Sequence, residues 1–479
     1  MSLTIAPGRA AQLDAGSRLV LGRRLSEAVR RARESGGEAI ASVTLRVDPR
    51  TDPSAVAFAS RRAGEPWFCF EQPERNGSAL ATLGSVRTLQ ASGPDRFAEV
   101  AREWRRLAAG ATCDPPDGPA GSGLVAVGGF AFAADGGGSP GWMGYPPACL
   151  EVPEAALARR GDDVRLTLAA LATADDTVED LIARIERRVA SLRTASMPLV
   201  DPAPAGRYRV GGAMPPEHYV SAVERAVERI RAGEIEKIVL AREVQVHAPA
   251  PYDAAAVFGV LREAFPGCYV FCVGRGDAAF VAASPELLVR REGQRASTVA
   301  LAGSTRRSAD PAVDDHLGEQ LMRSAKDREE QAIVARRIER TLRPHALWVT
   351  SAPEPAIIRM ANIQHLATPI RAQLASPIGA VDLAGLMHPT PAVGAEPAER
   401  AADLIPALEG LDRGWYAGPV GWTDAYEDGE FCVALRCALL RGAVAHCYAG
   451  VGVVRDSDPA TELAETEIKL AAMLPVVAA

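Results

Sequence analysis

The sequence has no excess of basic residues and none of the long apolar runs that membrane proteins carry. Its 53 Lys and Arg residues face 60 Asp and Glu residues, which gives a net charge of −7. No basic field is therefore available for nucleic acid or an anionic membrane surface. No stretch approaches the roughly 18 apolar residues of a membrane span, and the N-terminal residues lack the apolar core of a secretory signal. We therefore expect a cytoplasmic protein with no nucleic-acid and no membrane partner.

Several patterns that mark common sites are also missing. The eight cysteines are scattered and form no C-x-x-C pair, which is typical of a reduced compartment. There is no P-loop, no nucleophilic serine elbow and no His/Cys spacing for zinc. The stretch "AGVGVV" lacks the third glycine and the following helix of a dinucleotide fingerprint.

Length and composition indicate a globular chain of one large or two ordinary domains. Of the 479 residues, 48% are apolar and 24% are charged. The stretch "TASMPLVDPAPAGR" (194–207) is rich in proline and small residues, which predicts a link between an N-terminal part, 1–205, and a C-terminal part, 206–479. Strand-like runs alternate with helical ones in both parts, which favours an α/β or α+β sandwich with helices outside.

The C-terminal part gives the clearest element predictions. In "PPEHYVSAVERAVERIRAGEI", Tyr219, Val223, Val227 and Ile230 recur at helical spacing and should face inward. The run "EKIVLAREVQV" should form a strand, and one long helix should cover about 314–342. Further strands are expected over "AIIRMANIQHLAT" and within 430–454.

The last predicted helix carries a stripe of charge. Asp458 and Pro459 have the residue types of an N-cap and a first helical position. Glu462, Glu465 and Lys469 then follow at i, i+3 and i+7 on one face. The stripe is either a solvated face with charge pairs or a pair of carboxylates that holds a hard cation. The helix alone leaves both readings open.

Five other residues are of types that are unusual at their positions in or beside apolar strands. Lys237 opens an apolar strand, where it is either an exposed strand end or a buried amine that can act as a base. Glu286 in "AASPELLV" is either part of a strand break or a carboxyl that apolar neighbours hold neutral as an acid. Arg436 interrupts the apolar strand "FCVALRCALL" and needs an anionic partner from protein or ligand. Gly450 and Gly452 let a ligand approach the backbone of their strand.

Taken together, a set of motifs resembles the chorismate-utilising enzymes: isochorismate, salicylate, anthranilate and aminodeoxychorismate synthases. The resemblance spans roughly 215–475, with weaker likeness in "WFCFEQPERNGSALATLG" and "VGGFAF". The motifs stand in this order: "KIVLAR", "ASPELLV", "LAGSTRR", "SAKDREEQ", "HLATPI", "HPTPAVGA", "DRGWYAGPVGW", "GEFCVALR" and "AGVGVVRDSDPATELAETEIK".

The resemblance implies a fold and a set of site residues. The fold is an α/β (α+β) sandwich of two large, mainly antiparallel sheets with helices outside and the active site between them. Mg²⁺ is the implied cofactor, held by Glu330, Glu462 and Glu465 against the ring carboxylate of chorismate. Gln331 departs from the family, which usually has histidine there. The implied substrate-binding residues are Gly303, Ser304, His365, Thr390, Tyr416, Arg436, Gly450, Gly452 and Lys469.

The nucleophile distinguishes the members of the family. Lys237 matches the lysine that activates water in isochorismate and salicylate synthases, and Ala302 stands where aminodeoxychorismate synthases often carry a nucleophilic lysine. Glu286 would protonate the departing C4 hydroxyl. Ser304 directly after Gly303 resembles the isochorismate synthases. The expected activity is therefore reversible conversion of chorismate to isochorismate.

Two alternatives and several properties stay open at this point. A salicylate synthase would add pyruvate elimination to the same first step, and an inactive relative would bind chorismate without converting it. The pathway is menaquinone or siderophore biosynthesis. The expected assembly state is a monomer or a weak homodimer.

Overall fold

A computed structural model describes residues 2–5, 11–115, 117–201, 206–361 and 363–478. Residues 202–205 of the predicted link, including the end of the predicted N-terminal part, lie outside this range. The described residues form a 13-stranded sheet, here sheet 1, and a 10-stranded sheet, here sheet 2. Among the helices of the described ranges, none combines the length and apolarity needed to cross a bilayer.

The strands of the described residues are, in chain order, β1 Ser2–Leu3, β2 Ala39–Val47, β3 Trp67–Gln72, β4 Ser78–Leu83, β5 Arg87–Ala91, β6 Val125–Phe130, β7 Ala148–Val152, β8 Ala155–Arg160, β9 Asp163–Ala172, β10 Arg209–Gly212, β11 Lys237–His247, β12 Tyr269–Arg275, β13 Ala278–Ser284, β14 Leu287–Glu292, β15 Arg295–Arg306, β16 Ala346–Ser351, β17 Ala356–Arg359, β18 Ile363–Leu374, β19 Ala395–Glu396, β20 Pro419–Asp424, β21 Gly429–Val433, β22 Cys437–Arg441 and β23 Val444–Val453.

The α-helices of the same residues are α1 Ala15–Ser35, α2 Pro53–Ser60, α3 Arg96–Ala109, α4 Val178–Ser191, α5 Pro216–Arg231, α6 Ala254–Ala264, α7 Pro311–Arg323, α8 Ala325–Leu342, α9 Ala380–Met387, α10 Ala398–Ala401, α11 Leu404–Glu409, α12 Pro459–Leu470 and α13 Leu474–Val477. Two short 3₁₀ turns, Pro140–Trp142 and Arg343–His345, complete the list.

Strand pairing mixes the two parts of the chain. Sheet 1 has the order β1-β2-β9-β8-β4-β3-β12-β13-β22-β23-β11-β10, with β19 beside β11. Sheet 2 has the order β16-β18-β15-β14-β21-β20-β6-β7-β5, with β17 beside β18. The pairing is antiparallel except between β1 and β2. Because β3 pairs with β12 and β6 pairs with β20, both sheets contain strands from before and after the predicted link.

The two sheets face each other across one apolar core. Phe271 and Phe280 of sheet 1 belong to the same buried cluster as Phe130 and Phe431 of sheet 2. Helices α1, α2, α5, α6 and α12 pack on sheet 1, and α3, α8 and α9 pack on sheet 2. The predicted sandwich of two large, mainly antiparallel sheets with helices outside is confirmed.

Two helices are found where the cap residues or the apolar periodicity of the sequence predict them. Asp458 accepts a hydrogen bond from the Thr461 amide, and Pro459 opens α12, as its residue types predict. The inward face predicted for α5 is buried in full, because its apolar residues recur every three or four positions.

Three element predictions are wrong in detail. The helix predicted over 314–342 is two helices, since Ser324 is extended (φ −65°, ψ 115°) and its side chain caps α8 at the Asp327 amide. The strand predicted over 356–368 is the hairpin of β17 and β18. Arg436 does not lie inside a strand: it has φ 49° and lies between β21 and β22.

Candidate active site

Two connections that cross between the sheets form one side of a cleft. Strand β13 ends at Ser284 in sheet 1, and β14 begins at Leu287 in sheet 2, so Pro285 and Glu286 cross between them. The return crossing, from β21 to β22, carries Arg436. The two crossings are tied together because the Val433 amide donates to the Glu286 carbonyl at 3.0 Å. Glu286 and Arg436 therefore reach the space between the sheets from neighbouring connections.

The cleft has a volume of about 50 Å³ and brings together most of the site residues predicted from the sequence. Eleven of them line it: Glu286, Gly303, Ser304, Glu330, His365, Tyr416, Arg436, Gly450, Gly452, Glu465 and Lys469. Lys237, Thr390 and Glu462 do not line it. Thr390 is buried behind the wall, where its carbonyl accepts from the Val393 and Gly394 amides.

Lys237 lies directly behind Glu330. Its side chain is fully buried, and its Nζ is 2.9 Å from Glu330 Oε1 in an ion pair that lacks hydrogen-bond geometry. Gly452 makes this pair possible, because a Cβ at that position would lie 2.1 Å from Glu330 Oε1 and 2.9 Å from Lys237 Cε. The reading of Lys237 as an exposed strand end is wrong.

Glu286 is an almost fully buried carboxyl. Only 4% of the residue is exposed, and this burial raises the pKa of its carboxyl to about 8, against the opposing effect of Lys237, Arg436 and Lys469. The carboxyl is therefore mostly protonated at neutral pH and can donate a proton.

Arg436 is a cation without a carboxylate. Among the described residues, no Asp or Glu lies within ion-pair distance of its guanidinium, and its Nη2 contacts His365 Nε2 at 3.3 Å. His365 Nδ1 faces the Gly303 carbonyl at 3.2 Å. Because a carbonyl only accepts and a guanidinium only donates, the imidazole is neutral with its proton on Nδ1. Burial, with the charges of Arg436 and Lys469, lowers the pKa of His365 to about 3, which agrees with this state.

Glu465 is held ionised at the opposite wall. Burial works against the charge, but Lys469 Nζ at 2.9 Å and the Ser304 hydroxyl at 2.7 Å keep the pKa of the Glu465 carboxyl below its usual value. Lys469 also donates to the Gly450 carbonyl at 2.9 Å. Two members of the stripe predicted on the last helix, Glu465 and Lys469, therefore face the cleft instead of solvent.

Glu462 lies one turn earlier on α12 and has a different partner. Its side chain is fully buried, and Oε1 accepts from Lys326 Nζ at 2.5 Å. Its Oε2 is buried without any hydrogen-bond partner. Sequence reasoning missed Lys326, although it stands four residues before Glu330 on one face of α8.

The carboxylates also allow a test of the expected metal. Among the described residues, no three His, Cys, Asp or Glu side chains converge closely enough to hold a metal ion as they stand. The donor chemistry fits a hard cation, because Glu330, Glu465 and Glu462 offer carboxylate oxygens and one oxygen of Glu462 is buried and unpartnered. Gln331, the departure from the family pattern, donates to Thr368 Oγ1 at 2.7 Å and does not line the cleft.

Tyr448 links the cleft to a second, larger cavity that sequence reasoning also missed. Tyr448 shares the strand face of Gly450 and Gly452, and its ring stacks on Tyr416 with centroids 5.2 Å apart. Beyond it lies a cavity of about 350 Å³ with mainly apolar walls, lined also by Glu243 and His446, whose Oε1 and Nδ1 are 2.7 Å apart. Glu286, Lys469 and the Arg436 guanidinium converge in the smaller cleft, and Lys237 lies behind its wall, so we place the candidate active site there.

Comparison with known proteins identifies the family of the chain. A family model described as "Chorismate binding enzyme" matches residues 27–478. The salicylate biosynthesis isochorismate synthase of Pseudomonas aeruginosa is 36% identical over 92% of this chain and 90% of its own. Isochorismate synthase MenF of Bacillus subtilis is 28% identical over 93% of this chain and 95% of its own.

Solved structures of other proteins also match the fold of this chain. MenF of Escherichia coli, the menaquinone-specific isochorismate synthase, matches with a TM-score of 0.75 and 26% identity over 95% of this chain and all of its own. Bacillus anthracis DhbC, described as a 2,3-dihydroxybenzoate-specific isochorismate synthase, matches with a TM-score of 0.68 and 27% identity over 87% of this chain and 97% of its own. The chain belongs to the family of chorismate binding enzymes.

Proposed function

We propose that the protein is an isochorismate synthase that converts chorismate reversibly to isochorismate with Mg²⁺. The observation that carries the proposal is the presence of an acid and an amine at one site: Glu286, mostly protonated at neutral pH, lines the cleft, and Lys237, a buried amine, lies behind Glu330 of the cleft wall. An acid and a base on either side of a ring suit a reaction that adds water at one carbon and removes a hydroxyl from another.

In the proposed reaction Lys237 takes a proton from a water whose oxygen bonds to C2 of chorismate. Both ring double bonds shift by one bond, and the C4–oxygen bond breaks as Glu286 donates its proton to the departing hydroxyl, which leaves as water. The same two groups exchange roles in the reverse direction. Lys237 must be neutral to accept the proton.

The remaining residues are proposed to hold the substrate and the metal. Arg436, which has no carboxylate among the described residues, supports binding of the enolpyruvyl carboxylate with Tyr416. Glu330, Glu462 and Glu465 would hold Mg²⁺, which would bind the ring carboxylate and draw electron density from the diene when present. Gly303, Ser304, Gly450, Gly452 and Lys469 would shape the wall around the ring. His365 would contribute to that wall, and Thr390 would support it from behind.

The test is an incubation with chorismate and Mg²⁺ at neutral pH, analysed by chromatography with lactate dehydrogenase added to report pyruvate. We expect a chorismate–isochorismate mixture that stops at equilibrium without pyruvate. Stoichiometric pyruvate with fluorescent salicylate would instead assign the protein to the salicylate synthases. No turnover in either direction would leave a chorismate-binding protein without this activity.

Metal dependence and assembly need separate measurements. EDTA should abolish turnover, and added Mg²⁺ should restore it. Size-exclusion chromatography with light scattering tests the predicted monomer or weak homodimer. Menaquinone and siderophore biosynthesis both remain candidate pathways for the product.

A further inference from the structure

The carboxylates assigned to the metal share one feature: each faces a lysine. Glu330 pairs with Lys237, Glu465 pairs with Lys469, and Glu462 pairs with Lys326. Without such partners, these three mostly buried carboxylates would carry a large electrostatic cost. The lysines therefore let the carboxylate cluster exist without a metal ion.

The three lysines differ in how firmly they are held. Lys237 is fully buried in β11, and Lys469 has a second bond to the Gly450 carbonyl. The side chain of Lys326 is 29% exposed, and Glu462 is its only described hydrogen-bond partner. Lys326 also lies in the first turn of α8, where a change of rotamer takes the ammonium toward solvent without moving the helix.

Lys326 also interacts with all three carboxylates of the cluster. Its ammonium donates to Glu462 at 2.5 Å and interacts electrostatically with Glu465 and Glu330 as well. All three proposed metal ligands therefore attract the same ammonium. A divalent cation bound by these carboxylates and the ammonium of Lys326 would repel each other at short range.

We propose that Lys326 is a built-in cation that competes with Mg²⁺ for Glu462 and so weakens metal binding while keeping the metal-free protein stable. The inference rests on the proposed function, because it takes the three glutamates as metal ligands. It assigns to Lys326 a positioning role and no contact with the substrate. In the metal-free protein Lys326 neutralises Glu462, and on metal binding the carboxylate is released from the lysine.

The test compares wild type with Lys326→Met, which keeps the length of the side chain and removes its charge. Mn²⁺ binding to the metal-free proteins is followed by the electron paramagnetic resonance signal of free Mn²⁺, without chorismate. We expect Lys326→Met to bind Mn²⁺ at least about fivefold more tightly than wild type. Lys326→Arg, which keeps the charge, should bind like wild type.

A second measurement separates competition from simple damage to the fold. Without metal, Lys326→Met should melt below wild type, since Glu462 is left buried and unpaired. Saturating Mn²⁺ should remove this difference, because the metal replaces the lost cation. The matched control is Arg328→Met on the same helix: Arg328 pairs with exposed Glu354 at 2.8 Å, and its loss should change neither the Mn²⁺ affinity nor the response of the melting temperature to metal.

The outcomes separate this inference from the proposed function. Equal or weaker Mn²⁺ binding by Lys326→Met, with wild type binding normally, would overturn the competition and leave the proposed activity untouched. A melting deficit that persists in saturating Mn²⁺ would show that Lys326 only supports the fold. Failure of every variant and of wild type to bind Mn²⁺ would overturn the metal assignment and this inference with it.

Discussion

The proposed acid role of Glu286 predicts how both the activity and the stability of the protein depend on pH. With a pKa of about 8, roughly 90% of this carboxyl is protonated at pH 7. A carboxyl at the reference value of 4.5 would be protonated in well under 1% of molecules at the same pH. The alkaline limb of the pH profile of forward kcat/KM should therefore have its midpoint near pH 8, above which loss of the acid form lowers kcat/KM about tenfold per pH unit. Glu286→Gln should lower turnover by roughly 10²- to 10⁴-fold and abolish this dependence in the residual activity.

The same shift predicts a change in stability with a definite sign. The folded pKa lies above the unfolded one, so the stability linked to Glu286 is complete below about pH 4.5 and is lost progressively as the pH rises to about 8. By pH 7 the loss amounts to about 3 kcal/mol. Glu286→Gln cannot ionise, so its free energy of unfolding relative to wild type should rise by about that amount between pH 4.5 and pH 7.

Urea unfolding of both proteins at the two pH values measures the difference. Asp424→Asn is the matched control. Burial raises the pKa of Asp424 to about 7, but its carboxyl accepts from the Tyr426 and Asp428 amides, outside the cleft. This variant should leave the pH–rate profile unchanged. The reasoning is refuted if wild type loses activity with a midpoint near pH 4.5, or if Glu286→Gln shows the same relative stability at both pH values.

Three further outcomes are expected. Lys237→Met should lose roughly 10²- to 10⁴-fold in turnover, and mass spectrometry of incubations with ammonium salts should find no aminated product from wild type. Gly452→Ala should fold yet lose turnover in the chromatographic assay, since its Cβ would meet Glu330 Oε1 at 2.1 Å; full activity would show that the pair can move aside. Arg436→Lys should raise the KM for chorismate about tenfold or more, because a lysine cannot hold a carboxylate with two parallel bonds; an unchanged KM would remove Arg436 from substrate binding.

Sequence patterns predicted the parts of this site that depend on spacing within one element. The stripe of Glu462, Glu465 and Lys469 follows from helical geometry once Asp458 and Pro459 fix the start of α12. The alternation of β23 likewise places Gly450 and Gly452 on one face, although the same alternation also pointed to Tyr448, which sequence reasoning overlooked.

The parts that depend on connections between elements could not be predicted in this way. An apolar run such as "FCVALRCALL" reads as one strand, because nothing in its hydrophobicity marks the point where the chain leaves sheet 2 for sheet 1. Arg436 lies at that point, with a positive φ that an arginine adopts only when its surroundings require it. The break at Ser324 escaped notice for a similar reason, since helical periodicity continues on both sides of it. Ser324 and Asp327 do carry a capping signature, and that signal would have located the start of α8 and with it Lys326.

The pattern of charges in and around the cleft gives a physical reason for the proposed metal. Each of Glu330, Glu462 and Glu465 faces a lysine, which leaves Arg436 as the cation of the described cleft without an ion-pair partner. Chorismate brings two carboxylates, and a buried carboxylate without a partner is costly. Arg436 can accept one of them, so the other must take a lysine from its glutamate or meet a new positive charge. If the second substrate carboxylate paired with one of these lysines, the glutamate of that lysine would be left unpaired. The electrostatic cost of a buried, unpaired carboxylate would then remain. The proposed divalent cation would avoid this cost, because it would attract the substrate carboxylate and the glutamates together. Substrate and metal should then each raise the affinity of the protein for the other.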